Sequence, residues 1–203
     1  MYEYLDKVLK SLVHEIYEKY QDYRAMPFDE LNVVSKVNKL YSELDAINKK
    51  AFKKLAKHYY ESEPHGDAKL DKYWLFDKLA APSAVMLYAY ISEADRKRDR
   101  LSEALIATKG LVTEYDKAMK YWAQMAGWFA LEISDAALMQ ARKDDGVIYV
   151  RWQTEHDSRV CGDCHDLDNQ IFLLSEVPDK PHPNCRCQIK RVKESELEGA
   201  FNS

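Results

Sequence analysis

The sequence predicts a mainly α protein: a bundle of long helices followed by a small irregular α+β or β-hairpin module crosslinked by a Cys/His cluster. Three observations lead there. The 203 residues include only six glycines and six prolines, few for the tight turns of an all-β chain. Apolar residues recur at helical spacing through most of the first 145 positions. All four cysteines, Cys161, Cys164, Cys185 and Cys187, fall between positions 160 and 190. The expected division is a helical region over 1–145, the Cys/His module over 146–193 and a polar tail over 194–203.

The opening stretch, MYEYLDKVLKSLVHEIYEKY, interleaves charges with apolar residues and lacks the apolar run of a signal peptide. Export is therefore not expected, and in a cytoplasm thiols stay reduced. From Asp29 to Glu61 there is no glycine or proline, and Val33, Val37, Leu40, Leu44, Ile47 and Ala51 follow a heptad seam. This predicts one long helix with Asp29 as N-cap, closed by ESEPHGD. Residues 68–110 continue helical, with a break expected at Pro82, whose ring removes a backbone donor, and a stop at Gly110.

The next helix is expected to open on Thr113 as N-cap with Asp116 at the capping-box position. Tyr115, Met119, Trp122, Met125, Phe129, Ile133 and Ala136 then mark one face, read as core. The most apolar stretch, YWAQMAGWFALEISDAALMQA, is broken by Glu132 and Asp135, so no membrane partner is expected. After Gly146, VIYVRW is β-branched and aromatic and reads as a strand. Helical periodicity is absent from there to Ile189.

Cys161-x-x-Cys164 is a knuckle that points two sulfurs at one ion, and His182-x-x-Cys185 has the same spacing for the other corners of a tetrahedral site. Cys187 competes for the fourth place. Structural zinc is the favoured cofactor, with disulfides or free thiols as alternatives. His165 reads as solvated. Asp163, Asp166 and Asp168 could serve a catalytic zinc only with an open coordination site and a base, and no catalytic constellation or small-molecule substrate site is evident. Asp157 and Arg159 beside the knuckle fit an ion pair, or hydrogen bonds to sulfur, that orients the ligands.

The net charge of −4 argues against a general nucleic-acid coat. Two local basic stretches could still touch phosphates. Lys190, Arg191 and Lys193 follow the cysteines directly, and Arg96, Lys97 and Arg98 lie in DRKRDR, which reads first as a salt-bridged helical face.

RWQTEHDSRVCGDCHDLDNQIF followed by PHPNCRC resembles the pattern of tailed-phage minor head proteins, the phage Mu protein F-like head morphogenesis family. YISEADRKRDRLSEALIATKG and AMKYWAQMAGWFALEISDAALMQA also resemble the helical region ahead of that module, so the likeness covers about residues 85–190. The motif positions are Trp152, Thr154, Asp157, Arg159, Cys161, Cys164, His182, Pro183, Cys185, Arg186 and Cys187. The resemblance implies a structural, non-enzymatic minor capsid protein. It implies placement in the virion near the portal or major capsid protein after assembly in the host cytoplasm, association with DNA packaging or ejection, and in some members DNA binding. The alternative from the residues alone is a zinc-dependent nucleic-acid-binding protein, with a zinc hydrolase or nuclease as a third reading. The seam from Val33 to Ala51 and the face from Tyr115 to Ala136 together predict more apolar surface than one core covers, and so a docking surface for the capsid partner.

Overall fold

The computed structural model describes residues 3–91, 101–182, 185–193 and 196–197. Its elements are α1 (Glu3–Arg24), α2 (Val33–Glu61), α3 (Lys72–Ile91), α4 (Leu101–Ala107), α5 (Val112–Asp144), β1 (Tyr149–Gln153), α6 (Gly162–Leu167), β2 (Ile171–Leu173) and β3 (Gln188–Arg191). The mainly helical class with a small sheet beside the cysteines is as the sequence predicts. The chain forms two compact units. One comprises Met1–His58 and Leu70–Asp135, the other Tyr59–Lys69 and Ala136–Ser203.

The core of the first unit is built from the helical stripes the periodicity marks. Leu12, Ile16 and Tyr20 of α1, Leu40, Leu44 and Leu55 of α2, and Met119 and Trp122 of α5 are almost fully buried. Tyr41 of α2 packs its ring against Trp122 of α5, centroids 5.2 Å apart. Tyr20 of α1 donates a hydrogen bond to the Asp116 carboxylate of α5. The two stripes predicted to leave surplus apolar surface are instead largely spent on this internal core. Val33, Val37, Leu40, Leu44, Ala51, Met119, Trp122, Phe129 and Ile133 are all buried. Exposed apolar side chains lie elsewhere, among them three on α3, where Tyr73, Phe76 and Tyr88 are 82%, 71% and 68% exposed.

Three expected boundaries shift, each for a local reason. Asp29 does not cap α2. Its carboxylate accepts from the Leu31 backbone N–H at 3.1 Å and from the Asn32 amide at 2.7 Å, which closes a separate turn before the helix starts at Val33. Thr113 lies inside α5, which begins at Val112, and Asp116 receives Tyr20 rather than closing a capping box. Pro82 does not break its helix: α3 runs through it, with Pro82, Ser83 and Met86 buried. One missing hydrogen bond is outweighed where the flanking turns are held by tertiary packing. The N-cap of α3 is Asp71, whose carboxylate accepts from the backbone N–H groups of Tyr73 and Trp74, both at 2.8 Å.

Gly110 ends α4 as predicted. It adopts φ +83°, and a Cβ there would meet the Cβ of Phe28 at 2.6 Å, so glycine is required both for the backbone and for the approach.

In the second unit the three antiparallel strands run in the order β2-β1-β3. Trp152 pairs with Ile189 and Arg151 with both Ile171 and Lys190. Arg142 of α5 is nearly completely buried. It donates to the Ile189 carbonyl and pairs with Glu63 at 2.7 Å. Arg191 of β3 pairs with the same carboxylate at 2.7 Å and also with Asp145. One acid thus ties the segment after α2 to α5 and to the sheet.

Candidate metal centre

The residues of the Cys-x-x-Cys motif do not form a bare turn. Cys161 adopts an extended backbone and caps the short helix α6, accepting at its sulfur from the Cys164 backbone N–H at 3.4 Å. That N–H and the neighbouring thiol hold the proton affinity of Cys161 below the usual thiol range. Cys164 sits one helical turn later and is buried, which pushes its thiol well above that range. Opposite stands the segment entering β3, which contributes Cys185 and Cys187, both buried.

Trp152, next to the last residue of β1, forms the floor of the cluster with Cys164, Cys185 and Cys187. Val160, Leu167, Phe172, Val177 and Ile189 pack around it. The turn after α6 is fastened to this floor by backbone bonds, from Trp152 N–H to the Gln170 carbonyl at 2.9 Å and from Asn169 N–H to the Trp152 carbonyl at 2.8 Å. Asn169 supplies the left-handed φ of 62° that the turn needs.

The result is two groups of donors sharing one vertex. The donor atoms of Cys161, Cys164 and His182 lie within 4.8 Å of one another, and so do those of Cys164, Cys185 and Cys187. The Cys164 sulfur is 3.7 Å from His182 Nε2 and 3.5 Å from the Cys185 sulfur. A tetrahedral ion with sulfur ligands at about 2.3 Å sets its sulfurs about 3.8 Å apart, whereas a disulfide needs about 2.05 Å. No two of the four cysteines are joined in a disulfide. A cavity of about 30 Å³ lies among Cys161, Cys164, His182, Cys185 and Cys187, room for one ion or water. The buried indole N–H of Trp152 has no hydrogen-bond partner among the described residues, and burial pushes the neighbouring Cys187 thiol above the usual range. A donor stranded beside sulfur fits a cluster that carries negative charge. The arrangement can hold a metal ion.

A second crosslink surrounds the first. Asp157 accepts both prongs of the Arg186 guanidinium, at 2.6 and 2.8 Å, which joins the loop before Cys161 to the residue between Cys185 and Cys187. Arg186 holds the Asp157 carboxyl well below the usual carboxylate range. Arg159, the partner that spacing suggests, also pairs with Asp157, at 3.2 Å, and donates its backbone N–H at 2.9 Å. The stronger partner, Arg186, is twenty-nine positions away and no local spacing rule points to it. Asp168 accepts the Thr154 backbone N–H at 2.8 Å, which holds its carboxyl below the usual range and fixes the far end of the same loop.

The remaining candidate residues divide. His165, Asp163 and Asp166 are exposed. Lys190 and Lys193 are exposed, but Arg191 is engaged by Glu63, by Asp145 and by the Pro64 carbonyl. Arg96, Lys97, Arg98 and Pro183 lie outside the described residues. Among the described residues no helix is long and apolar enough to cross a membrane.

Residues 99–190 match the family model described as phage Mu protein F like protein. No curated protein and no solved structure gives a significant match.

Proposed function

We propose, for a chain whose residues 99–190 match the phage Mu protein F-like family model, that it is a minor capsid protein of a tailed phage or prophage. In this reading it is made in the host cytoplasm and built into the head, where it contacts the portal or the major capsid protein and assists DNA packaging or ejection. The observation that carries the reading is the convergence of the family motif on one cluster: Trp152, Cys161, Cys164, His182, Cys185 and Cys187 meet, and Asp157 and Arg186 brace them.

Structural zinc is the ion such a donor set favours, since thiolate and imidazole together suit a borderline-soft cation. We assign Cys161, Cys164, His182 and Cys185 as its ligands, on the tetrahedral-edge distances around Cys164, with Cys187 packed beside Trp152 behind them. When bound, the ion contributes folding energy to a small unit. The acids beside the cluster support a structural role over catalysis: Asp163 and Asp166 face solvent and Asp168 is committed to a backbone N–H.

The capsid partner is assigned to α3. Tyr73, Phe76, Val85 and Tyr88 are exposed and fall within about half of the helix circumference at 100° per residue. An apolar face of this kind marks an association surface. The test is mass spectrometry of purified heads, with wild type and a Tyr73→Lys/Phe76→Lys/Tyr88→Lys variant supplied during assembly. Wild type should be found in particles and the variant should be depleted about tenfold, with the purified variant still folded by circular dichroism. Particles lacking the wild-type protein would contradict the capsid reading; equal incorporation would contradict the assignment of α3.

A further inference from the structure

The second half of α2 carries the sequence NKKAFKKLAKH, in which five lysines occur within nine residues and no acid intervenes between Lys49 and His58. At 100° per residue, Lys49, Lys53, Lys57, Lys50 and Lys54 fall in that angular order within an arc of about 140°. Ala51, Phe52, Leu55 and Ala56 take the opposite arc and are buried. All five lysines are exposed. Helix α1 adds Lys7, which lines one cavity of about 220 Å³ together with Lys50 and Lys54, above an apolar floor that includes Val8 and Leu12.

We propose that this lysine face, Lys49, Lys50, Lys53, Lys54 and Lys57 with Lys7, is a contact for the phosphate backbone of duplex DNA. A protein of net charge −4 that gathers six cations on one face, uninterrupted by acids along α2, creates a local potential opposite to its mean. Lys7, Lys53 and Lys54 make no ion pair among the described residues. Lys49 pairs with Asp45 at 2.7 Å, Lys50 with Glu15 at 3.5 Å, and Lys57 also has a partner within the chain. Exposed pairs of this kind contribute little and exchange readily for a phosphate.

The chemistry selects a backbone rather than a base. Lysine is a flexible point charge without the planar fork that reads a guanine edge, so the contact follows phosphates and is indifferent to sequence. From Lys49 to Lys57 the helix rises about 12 Å, and duplex DNA presents one charge per about 1.7 Å of its axis. A row of that length therefore meets several phosphates at once. Neither basic stretch beside the motif offers as much: Arg191 is held by two carboxylates, which leaves Lys190 and Lys193. The choice of duplex DNA over an acidic protein segment rests on the capsid reading, since a head component shares its compartment with packaged DNA.

Fluorescence anisotropy on the full chain tests the proposal, with a labelled duplex of arbitrary sequence titrated at several salt concentrations. Wild type should bind with a negative slope of log affinity against log salt. Lys53→Gln/Lys54→Gln should reduce that slope by about 2 and weaken low-salt binding about tenfold, whereas Lys190→Gln/Lys193→Gln should change it less. Unchanged slope and affinity in the first variant, or a wild type that prefers polyglutamate to DNA in competition, would overturn the assignment. Head incorporation is scored separately. A wild type that binds duplex DNA through these lysines but is absent from heads removes the capsid reading and leaves the contact standing.

Discussion

Asp157 shows how one side chain can organise a site it does not enter. Its two oxygens take both prongs of Arg186, and Arg186 sits between two cysteines, so the carboxylate fixes the segment carrying Cys185 relative to the loop carrying Cys161. Asp157→Asn keeps the volume and removes the charge. It should weaken metal binding by about 10- to 100-fold, the usual consequence of losing a group that orients ligands. Arg159→Ala removes a longer, mostly exposed contact and should change metal affinity far less. Competition with a metal-sensitive chelator dye compares the two; equal losses would return the main bracing role to Arg159. The pairing of Asp157 with Arg159 is legible from a spacing of two. Its pairing with Arg186 is not, because a contact across twenty-nine positions exists only after β1 and β3 have brought the two segments together.

At the scale of elements, Glu63 is the joint between the segment after α2, helix α5 and strand β3. Burial alone would raise its pKa, but hydrogen bonds from Arg142 and Arg191 outweigh that and hold it below its ordinary value. A depressed carboxyl contributes stability that is fully present above the unfolded pKa of about 4.3 and is lost as pH falls through the lower folded value. Urea unfolding across pH 3 to 7 should therefore show wild type losing stability on acidification below about pH 4.3. Glu63→Gln should be less stable by roughly 3 kcal/mol at neutral pH, since it strands the buried Arg142, and should show a shallower acid decline. Parallel pH curves for the two proteins would contradict the joint. Helix existence and facing were readable from period, as Leu40, Leu44, Met119 and Trp122 attest. Helix stops at Glu61 and Gly110 were readable too, but the starts and the Pro82 break were not, because they turn on local competition: Asp29 closes its own turn, Asp71 takes the cap of α3, and the packing around Pro82 overrides its missing donor.

For the molecule as a whole, the sequence reading and the structure agree on where chemistry is concentrated and differ on where surface is free. The cysteine spacing predicts one cluster, and the donor atoms form two groups that share Cys164: Cys161, Cys164 and His182, and Cys164, Cys185 and Cys187. The two long apolar stripes predict a docking surface, yet each is largely buried, and α3 carries Tyr73, Phe76 and Tyr88 exposed. Periodicity says that a face is apolar; only the packing of several helices says whether it is already covered. The lysine row on α2 was open to the same helical arithmetic, since its five lysines share one arc at 100° per residue. What holds these parts together as one account is the claim that the Cys/His cluster is a metal centre. Native mass spectrometry of the full chain, purified without chelator and paired with elemental analysis, tests that claim most directly. One zinc per chain is predicted in wild type, retained in Cys187→Ser and lost in Cys164→Ser, the vertex common to both donor groups. A wild-type chain that carries no metal, with all four thiols open to alkylation in the native state, would contradict it.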